Sequence, residues 1–328
     1  MDRKLAIETK EVMDNLDQKN IGIKQKEKKR FNLRNRIDRL SESSTAKLYI
    51  FPTNAVLILA ILFPLLYALF LSLTKVEFAQ GNLEYTFVGV NNFLEMFRDP
   101  RIPKILIQTL TFTLISVVGT VAIGFGIALT IHHGAWGAGL FKRLFLLPWA
   151  LSNVVNGLMW QWMYSGNNGI INEILSKLGF IDGYKMWLVE EATAMGALIF
   201  ADIWKSTPFA ALLLLAALQT VPKDLYEASK VDGAGAFTQF TKIVLPTIKP
   251  VILVVLVTQT MWTLRVFDLI WVLTQGGPMD STMTLNIYAY ENAFRSFNIG
   301  YGSALAYVIT FITLIFTFIY IRLLGKEN

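Results

Sequence analysis

The chain has 328 residues, of which 54% are hydrophobic and only 16% charged, and its formal net charge at pH 7 is +6. A soluble domain carries about a quarter charged residues, so this composition and a mean hydropathy of +0.47 argue against a soluble protein and favour a chain largely surrounded by lipid. The chain has no cysteine, which excludes disulfides and thiolate metal sites, and we expect it to bind no metal or cofactor of its own.

The N-terminal segment 1–47 is predicted to form a separate basic arm on the cytoplasmic side. It holds 13 of the 30 Lys and Arg residues, so the positive charge indicates an anionic membrane surface rather than nucleic acid as partner. Within it, "KQKEKKRFNLRNRIDRL" is compatible with a helix lying on the inner leaflet. A solvated, partly disordered tail is the alternative, and we expect disorder before about residue 20.

The remainder, 48–328, is predicted to be an all-α, polytopic membrane domain. A helix needs about 20 apolar residues to cross the hydrocarbon core, and irregular backbone cannot face lipid. The third and fourth of the candidate spans are the least regular, because they contain Asn153, Asn156, Asp202 and Lys205. The six stretches run near 48–73, 105–131, 141–164, 192–219, 248–273 and 302–324.

The distribution of positive charge predicts the orientation of these spans. With the N-terminus inside, the inner segments hold 20 Lys and Arg residues and the outer segments hold seven. This is the excess that the positive-inside rule requires. Both termini and the segment 220–246 are therefore expected in the cytoplasm.

The segment 220–246 has the features of a compact helical loop. Pro222 suits the first turn of a helix, and Glu227 lies close enough to that end to complement the helix dipole. Gly233 and Gly235 permit positive φ and hence a sharp reversal, and Pro246 is expected to mark a break before the fifth span. The result would be a protruding knob that can insert into a cleft on a partner, although an ordinary connecting loop is the alternative.

The same segment contains a longer motif, E-A-(A/S)-x3-G-x9-I-x-L-P, from Glu227 to Pro246. It resembles the cytoplasmic coupling signature of permease subunits of binding-protein-dependent ABC importers. "FDLIWVLTQGGPMDSTMTLNIYAYENAF" and "LLPWALSNVVNGLMWQWMY" are similar to the carbohydrate branch, in particular to its maltose-type first permease subunit. The residues assigned to coupling by this resemblance are Tyr226, Glu227, Ala228, Ser229, Asp232, Gly233, Ala234, Gly235, Leu245 and Pro246.

The resemblance implies the partners of such a subunit. It predicts a second permease subunit, two ATPase subunits docking on 222–235 and contacted by Glu227, and an extracytoplasmic solute-binding protein. ATP and Mg²⁺ would be bound by the ATPases, and this chain contains no G-x-x-x-x-G-K-[ST] phosphate loop. The expected location is the cell membrane of a bacterium or archaeon.

Charged residues inside the spans are costly and often mark a transport pathway. Asp202 and Lys205 are three residues apart on the fourth span, and Arg265 and Asp268 have the same spacing on the fifth. Each pair can share one helix face and form an ion pair, and this structural role stays open beside substrate contact.

Polar and aromatic residues near these charges suggest a sugar pathway. Pro208 is expected to interrupt the fourth span near its midplane, where transporters often bind substrate. On the fifth span Gln259, Trp262 and Thr263 share a face that offers hydrogen bonds and a flat aromatic surface. The family resemblance adds the aligned positions on the fourth span, so the predicted pathway residues are Lys205, Ser206, Phe209, Gln259, Trp262 and Thr263.

Lys205 is unusual beside a neutral sugar and raises the hypothesis of an acidic, uronate-containing saccharide. Polar helix packing would explain the same residues without substrate. An ion-coupled secondary carrier that uses Asp202 or Asp268 is the alternative mechanism, and it would need no ATPase.

Overall fold

The computed structural model describes residues 42–79, 82–132, 134 and 145–324. The chain divides into two compact units, Met1–Tyr67 and Ala68–Asn328. In the first unit the described residues form the beginning of helix α1 (Glu42–Ser72), which is exposed from Tyr49 to Leu66. A helix that is apolar on all sides and exposed is suited to a lipid environment. The predicted interfacial helix of the basic arm lies outside the described residues.

Helices dominate the second unit as well, as the sequence predicts. Two π-helical turns, Phe240–Val244 and Glu291–Arg295, are continuous with neighbouring helices. The α-helices are α2 (Asn91–Arg98), α3 (Ile102–His132), α4 (Leu147–Ala150), α5 (Asn153–Met163), α6 (Ile170–Lys177), α7 (Glu191–Gln219), α8 (Lys223–Val231), α9 (Ala236–Gln239), α10 (Leu245–Leu264), α11 (Asp268–Leu273), α12 (Leu285–Tyr290) and α13 (Ile299–Leu324).

Five helical stretches in the described ranges are long and apolar enough to cross a bilayer. They correspond to five of the six predicted spans, so the predicted count of six is not reproduced. They are Tyr49–Ser72, Ile102–His132, Glu191–Gln219, Ala236–Leu264 and Ile299–Leu323.

The third predicted span, 141–164, differs because its described part is broken into α4 and α5. Leu151 and Ser152 have extended backbone between the two helices. The Ser152 hydroxyl accepts a hydrogen bond from the backbone N–H of Val155 at 3.3 Å and so caps the N-terminus of α5. A capping residue inside an apolar run therefore begins a new helix where one continuous span was expected.

The predicted proline interruptions are also absent. Helix α7 continues through Pro208, although this residue cannot donate to the carbonyl of Trp204. Pro246 does not break the chain either, because it lies in the first turn of α10, where a missing N–H is tolerated. The fifth span instead ends at Leu264, earlier than expected, and α11 is a separate short helix.

A small β-hairpin modifies the all-α prediction. Strands β1 (Thr74–Ala79) and β2 (Asn82–Phe87) pair antiparallel, with Val76 opposite Tyr85. Both strands contain the β-branched and aromatic residues that favour a pleated surface. The hairpin lies in the segment between the first two spans, which is too short to form a domain of its own.

The core is built mainly around α3 and α7. A Cβ atom added to Gly124 on α3 would lie 3.1 Å from the Cβ of Ala210 and 3.1 Å from the amide nitrogen of Ala211 on α7. Small residues at such a crossing let two membrane helices approach closely. The buried apolar residues form two clusters: the first contains Phe112 and Leu198, and the second contains Ala128, Leu214 and their neighbours.

A hydrogen-bonded cluster at Asp99 joins the segment before α3 to α12 and α13. The Asp99 carboxylate accepts hydrogen bonds from the hydroxyls of Tyr288 at 2.5 Å and Tyr301 at 2.9 Å. Burial acts to raise the pKa of Asp99, but these bonds and the nearby Arg101 outweigh it, so the pKa lies below its usual value. Arg101 also contacts both carboxylate oxygens of Asp280, at 2.8 and 3.0 Å.

We predict that Asp99→Ala destabilises the folded chain by about 2 kcal/mol, because it leaves the buried hydroxyls of Tyr288 and Tyr301 without their acceptor. The measurement is thermal unfolding of the purified protein in detergent, followed by tryptophan fluorescence. Asp182→Ala is the control, since Asp182 is exposed. Equal melting temperatures for the two variants would contradict the assigned role of Asp99.

Candidate substrate cavity and coupling loop

A cavity of about 450 Å³ opens between helices α7 and α10 and the broken segment α4–α5. Along α7 it begins after Ala201, the last residue of that helix in the first core cluster, and ends before Ala210 of the second. Along α7 its polar lining therefore lies between the buried residues of the two apolar clusters, although Ile203 and Trp204 in this stretch pack against the first cluster. The lining residues are Trp149, Asn153, Asp202, Lys205, Ser206, Trp262, Thr263, Arg265 and Val266.

Aromatic rings form one side of this cavity. The ring of Phe209 lies 5.4 Å from that of Trp149 and 4.8 Å from that of Trp262, measured between centroids. The two tryptophans line the cavity and Phe209 fills the space between them. Exposed flat faces of this kind can contact the apolar face of a sugar ring.

Several polar atoms near the cavity are buried without a hydrogen-bond partner in the described chain. They include Oδ2 of Asp202, both side-chain polar atoms of Gln259 and of Asn156, and the hydroxyl of Ser116. Asp202 is 7% exposed and Gln259 1% exposed. Burying such groups without a hydrogen-bond partner costs free energy. Helix packing alone therefore does not explain why polar side chains occur here.

Four of the six predicted pathway residues line the cavity: Lys205, Ser206, Trp262 and Thr263. Phe209 supports the aromatic side, whereas Gln259 is buried behind it. Sequence reasoning did not assign Trp149 or Asn153 to the pathway. The resemblance of "LLPWALSNVVNGLMWQWMY" to sugar permeases was the signal that pointed to this stretch.

Neither predicted intramembrane charge pair makes a direct contact between its charged groups, although Asp202 and Lys205 interact electrostatically at a longer distance. No ion pair within the described residues joins Asp202 to Lys205, or Arg265 to Asp268. For the second pair the reason is local structure: Arg265 ends α10 and Asp268 begins α11, so they do not share a helix face. Arg265 faces the cavity instead.

The predicted coupling loop has a well-defined turn after α8. The N–H of Gly233 donates to the carbonyl of Lys230, and the N–H of Ala234 donates to the carbonyl of Ser229. This pattern is a Schellman motif, which requires a left-handed residue that glycine supplies. Gly233 has φ +75°, whereas Gly235 has φ −72°, contrary to the prediction for the second glycine.

A second contact holds the two arms of the loop together. The buried Ser229 hydroxyl accepts a hydrogen bond from the side-chain amide of Gln239 at 2.9 Å and donates to the carbonyl of Tyr226. Tyr226 packs on the second core cluster. In contrast, Val231 and Phe237 are 89% and 79% exposed, so the tip of the knob is partly apolar.

Comparison with known proteins assigns the chain to a family. Residues 121–325 match the model of the family described as binding-protein-dependent transport system inner membrane component. The chain belongs to this family. It is a membrane-embedded permease subunit of an ABC transporter, and ATP hydrolysis in such systems lies in separate subunits. Family membership favours this mechanism over the ion-coupled carrier.

The relatives of this permease include subunits of sugar transport systems, as the motif resemblance predicted. It is 35% identical over 289 residues to the sulfoquinovosyl glycerol transport system permease protein SmoG of Agrobacterium fabrum, covering 88% of this chain and 93% of that protein. It is 36% identical over 282 residues to the trehalose/maltose transport system permease protein MalF of Thermococcus litoralis, covering 86% and 94%.

A solved structure has the same fold. It is the structure of a bacterial ABC transporter involved in the import of the acidic polysaccharide alginate. The match covers 88% of the present chain and 100% of the chain in that structure. The TM-score is 0.71 at 21% sequence identity. The helical architecture of the permease is therefore that of an ABC importer subunit.

We predict that Gly233→Ala weakens the turn of the coupling loop by about 1 kcal/mol, because a side chain at positive φ is strained even in open space. Gly235→Ala is the matched control, since its φ is negative and both positions have free space for a Cβ atom. Hydrogen exchange of residues 223–244 measures the difference. Equal protection in the two variants would contradict the conformational role of Gly233.

Proposed function

We propose that this permease transports a saccharide into the cytoplasm through the cavity between α7, α10 and α4–α5. The observation that supports this most directly is the lining itself, in which two tryptophans accompany charged and hydroxyl-bearing side chains. Aromatic faces for sugar rings and polar groups for hydroxyls are the combination that carbohydrate recognition needs. The relatives from sugar transport systems support the same class of substrate.

The proposed substrate is acidic. Lys205 lines the cavity and, in the described part of the chain, makes no direct ion pair; Asp202 attracts it electrostatically but is almost completely buried. An ammonium group with unused hydrogen-bond donors in a partly desolvated site favours binding of an anion. The relative named for sulfoquinovosyl glycerol and the structural neighbour named for alginate are consistent with an acidic cargo, and the trehalose/maltose relative leaves a neutral sugar as the competing class.

The proposed partners are a second permease subunit, two ATPase subunits and an extracytoplasmic solute-binding protein. A solved relative of the same fold is described in complex with a saccharide-bound periplasmic protein. The exposed Glu227 and Phe237 on the loop 220–246 offer a charge and an apolar contact to an ATPase. This assignment puts the loop and both termini in the cytoplasm, in agreement with the charge distribution.

The proposed mechanism is alternating access driven from the loop. Docking of the binding protein delivers the saccharide to the outward-open cavity, where the tryptophans and Lys205 hold it. ATP-dependent closure of the ATPases moves the knob, and α10 transmits this movement because its helical backbone continues from Ala236 to Leu264. The cavity then opens inward, and ATP hydrolysis resets the cycle.

We predict that Lys205→Gln lowers uptake of an acidic oligosaccharide about tenfold and leaves uptake of a neutral one unchanged, since a charge-assisted hydrogen bond is lost only for the anion. Uptake is measured in proteoliposomes with the complete transporter and its binding protein. Lys249→Gln removes a positive charge from α10 outside the cavity and is the control.

A matching loss for both sugars would show that Lys205 acts in folding or packing. If the wild type imports neutral sugars alone, the acidic part of the proposal is wrong, whereas the importer assignment stands.

We predict that Glu227→Gln reduces transport per ATP hydrolysed several-fold without preventing membrane insertion, because an exposed contact to the ATPase loses its charge. Glu227→Asp keeps the charge and is expected to retain more than half of the coupling. The measurement is the ratio of saccharide uptake to phosphate release in the reconstituted complex. An unchanged ratio for Glu227→Gln would show that the charge of Glu227 does not contribute to the coupling contact.

A further inference from the structure

Arg265 is a second cation in the lining of the cavity. From the sequence, it was considered as the partner of Asp268 in an ion pair. Arg265 and Lys205 both line the cavity, and they come from different helices, α10 and α7. Among the ion pairs and hydrogen bonds of the described chain, none uses either side chain. The acidic member of the lining is Asp202, which is almost completely buried. The lining therefore has two cations and one anion.

The backbone of Arg265 is held firmly at the end of α10. Its N–H donates to the carbonyls of Trp262 and Thr263, and its own carbonyl accepts a hydrogen bond from the side-chain amide of Asn286 at 3.0 Å. A cation at a helix C-terminus is stabilised by the helix dipole. Arg265 lines the cavity, and its guanidinium donors are used in no hydrogen bond or ion pair of the described chain.

The chemistry of the two cations differs. A guanidinium group is planar and can bind a carboxylate through two parallel hydrogen bonds, whereas an ammonium group acts as a compact point charge. Trp149 and Trp262 provide ring-binding faces in the same cavity. Two cations on separate helices beside such faces match a saccharide that carries acidic groups on more than one of its rings.

We propose that Arg265 is a specificity-determining residue that binds a second carboxylate of the transported saccharide, while Lys205 binds the first. The inference builds on the proposed import of acidic saccharides and narrows the substrate to oligosaccharides with at least two uronate-type acid groups. Asp202, which lines the same cavity but is almost completely buried, offsets part of the positive charge of Lys205.

The test compares three oligosaccharides of equal length that carry no, one or two carboxylates. Uptake is measured with the complete transporter in proteoliposomes, at saturating concentrations of the binding protein loaded with each sugar. Wild type, Arg265→Gln and the control Lys249→Gln are compared. We expect Arg265→Gln to lower uptake of the diacid about tenfold and to leave the neutral and monoacid sugars within about twofold of wild type.

The possible failures can be told apart. If Arg265→Gln lowers the uptake of all three sugars equally, Arg265 has a structural role and the inference is overturned, while Lys205→Gln still tests the proposed function. If the wild type imports neutral sugars only, the proposed acidic substrate is wrong, and the inference fails with it.

A second variant covers the case in which Arg265→Gln does not assemble. Arg265→Lys keeps a cation at the end of α10 and loses only the planar fork of donors. We expect it to assemble and to lower diacid uptake by a few-fold, because a point charge replaces bidentate binding. Diacid uptake equal to that of wild type would overturn the proposal for Arg265.

Discussion

The close approach of α3 and α7 is the constraint on which the second unit depends. At Gly124 the two backbones come so near that a methyl group would contact both Ala210 and the amide of Ala211. Both core clusters include buried residues from each of these two helices. In lipid there is little hydrophobic drive between helices, so packing of small residues provides much of the attraction. The crossing thereby sets the position of α7, which contributes to both core clusters and to the lining of the cavity.

The proposed transport pathway explains why polar side chains are buried beside α7. Burying the side-chain amides of Gln259 and Asn156 without partners costs about 1–3 kcal/mol for each group, and apolar residues of similar volume would pack better. A saccharide, however, brings many hydroxyl groups that must exchange water for protein contacts. A cavity with unsatisfied polar atoms can supply these contacts, whereas a sealed apolar bundle cannot.

Length and apolar character predicted the long helices well, because the cost of unpaired backbone in lipid leaves few alternatives. They could not predict that Ser152 would start a new helix, since the apolar run continues past it. The continuity of α7 through Pro208 also depends on packing that no local signal contains.

Local spacing was a weaker guide to the charged residues. Arg265 and Asp268 have the spacing of a helical pair, but the helix ends between them. The cavity brings together residues that are more than 100 positions apart, such as Trp149 and Trp262. Neither hydrophobic periodicity nor the distribution of charge could predict that these two residues line one cavity. The turn at Gly233 was easier to predict because its motif is contiguous and the conformation depends on one glycine.

The π-helical turn Phe240–Val244 has a mechanical consequence. It joins α9 to α10 without a break in the helical backbone, so Phe237 on the knob and Trp262 in the cavity lie on one continuous helix. At 1.5 Å per residue they are separated by about 38 Å along its axis. The π-helical turn and Pro250 are the positions at which this helix can bend. A small tilt imposed at the knob would swing the indole of Trp262 in the opposite direction, about whatever point the surrounding helices hold fixed.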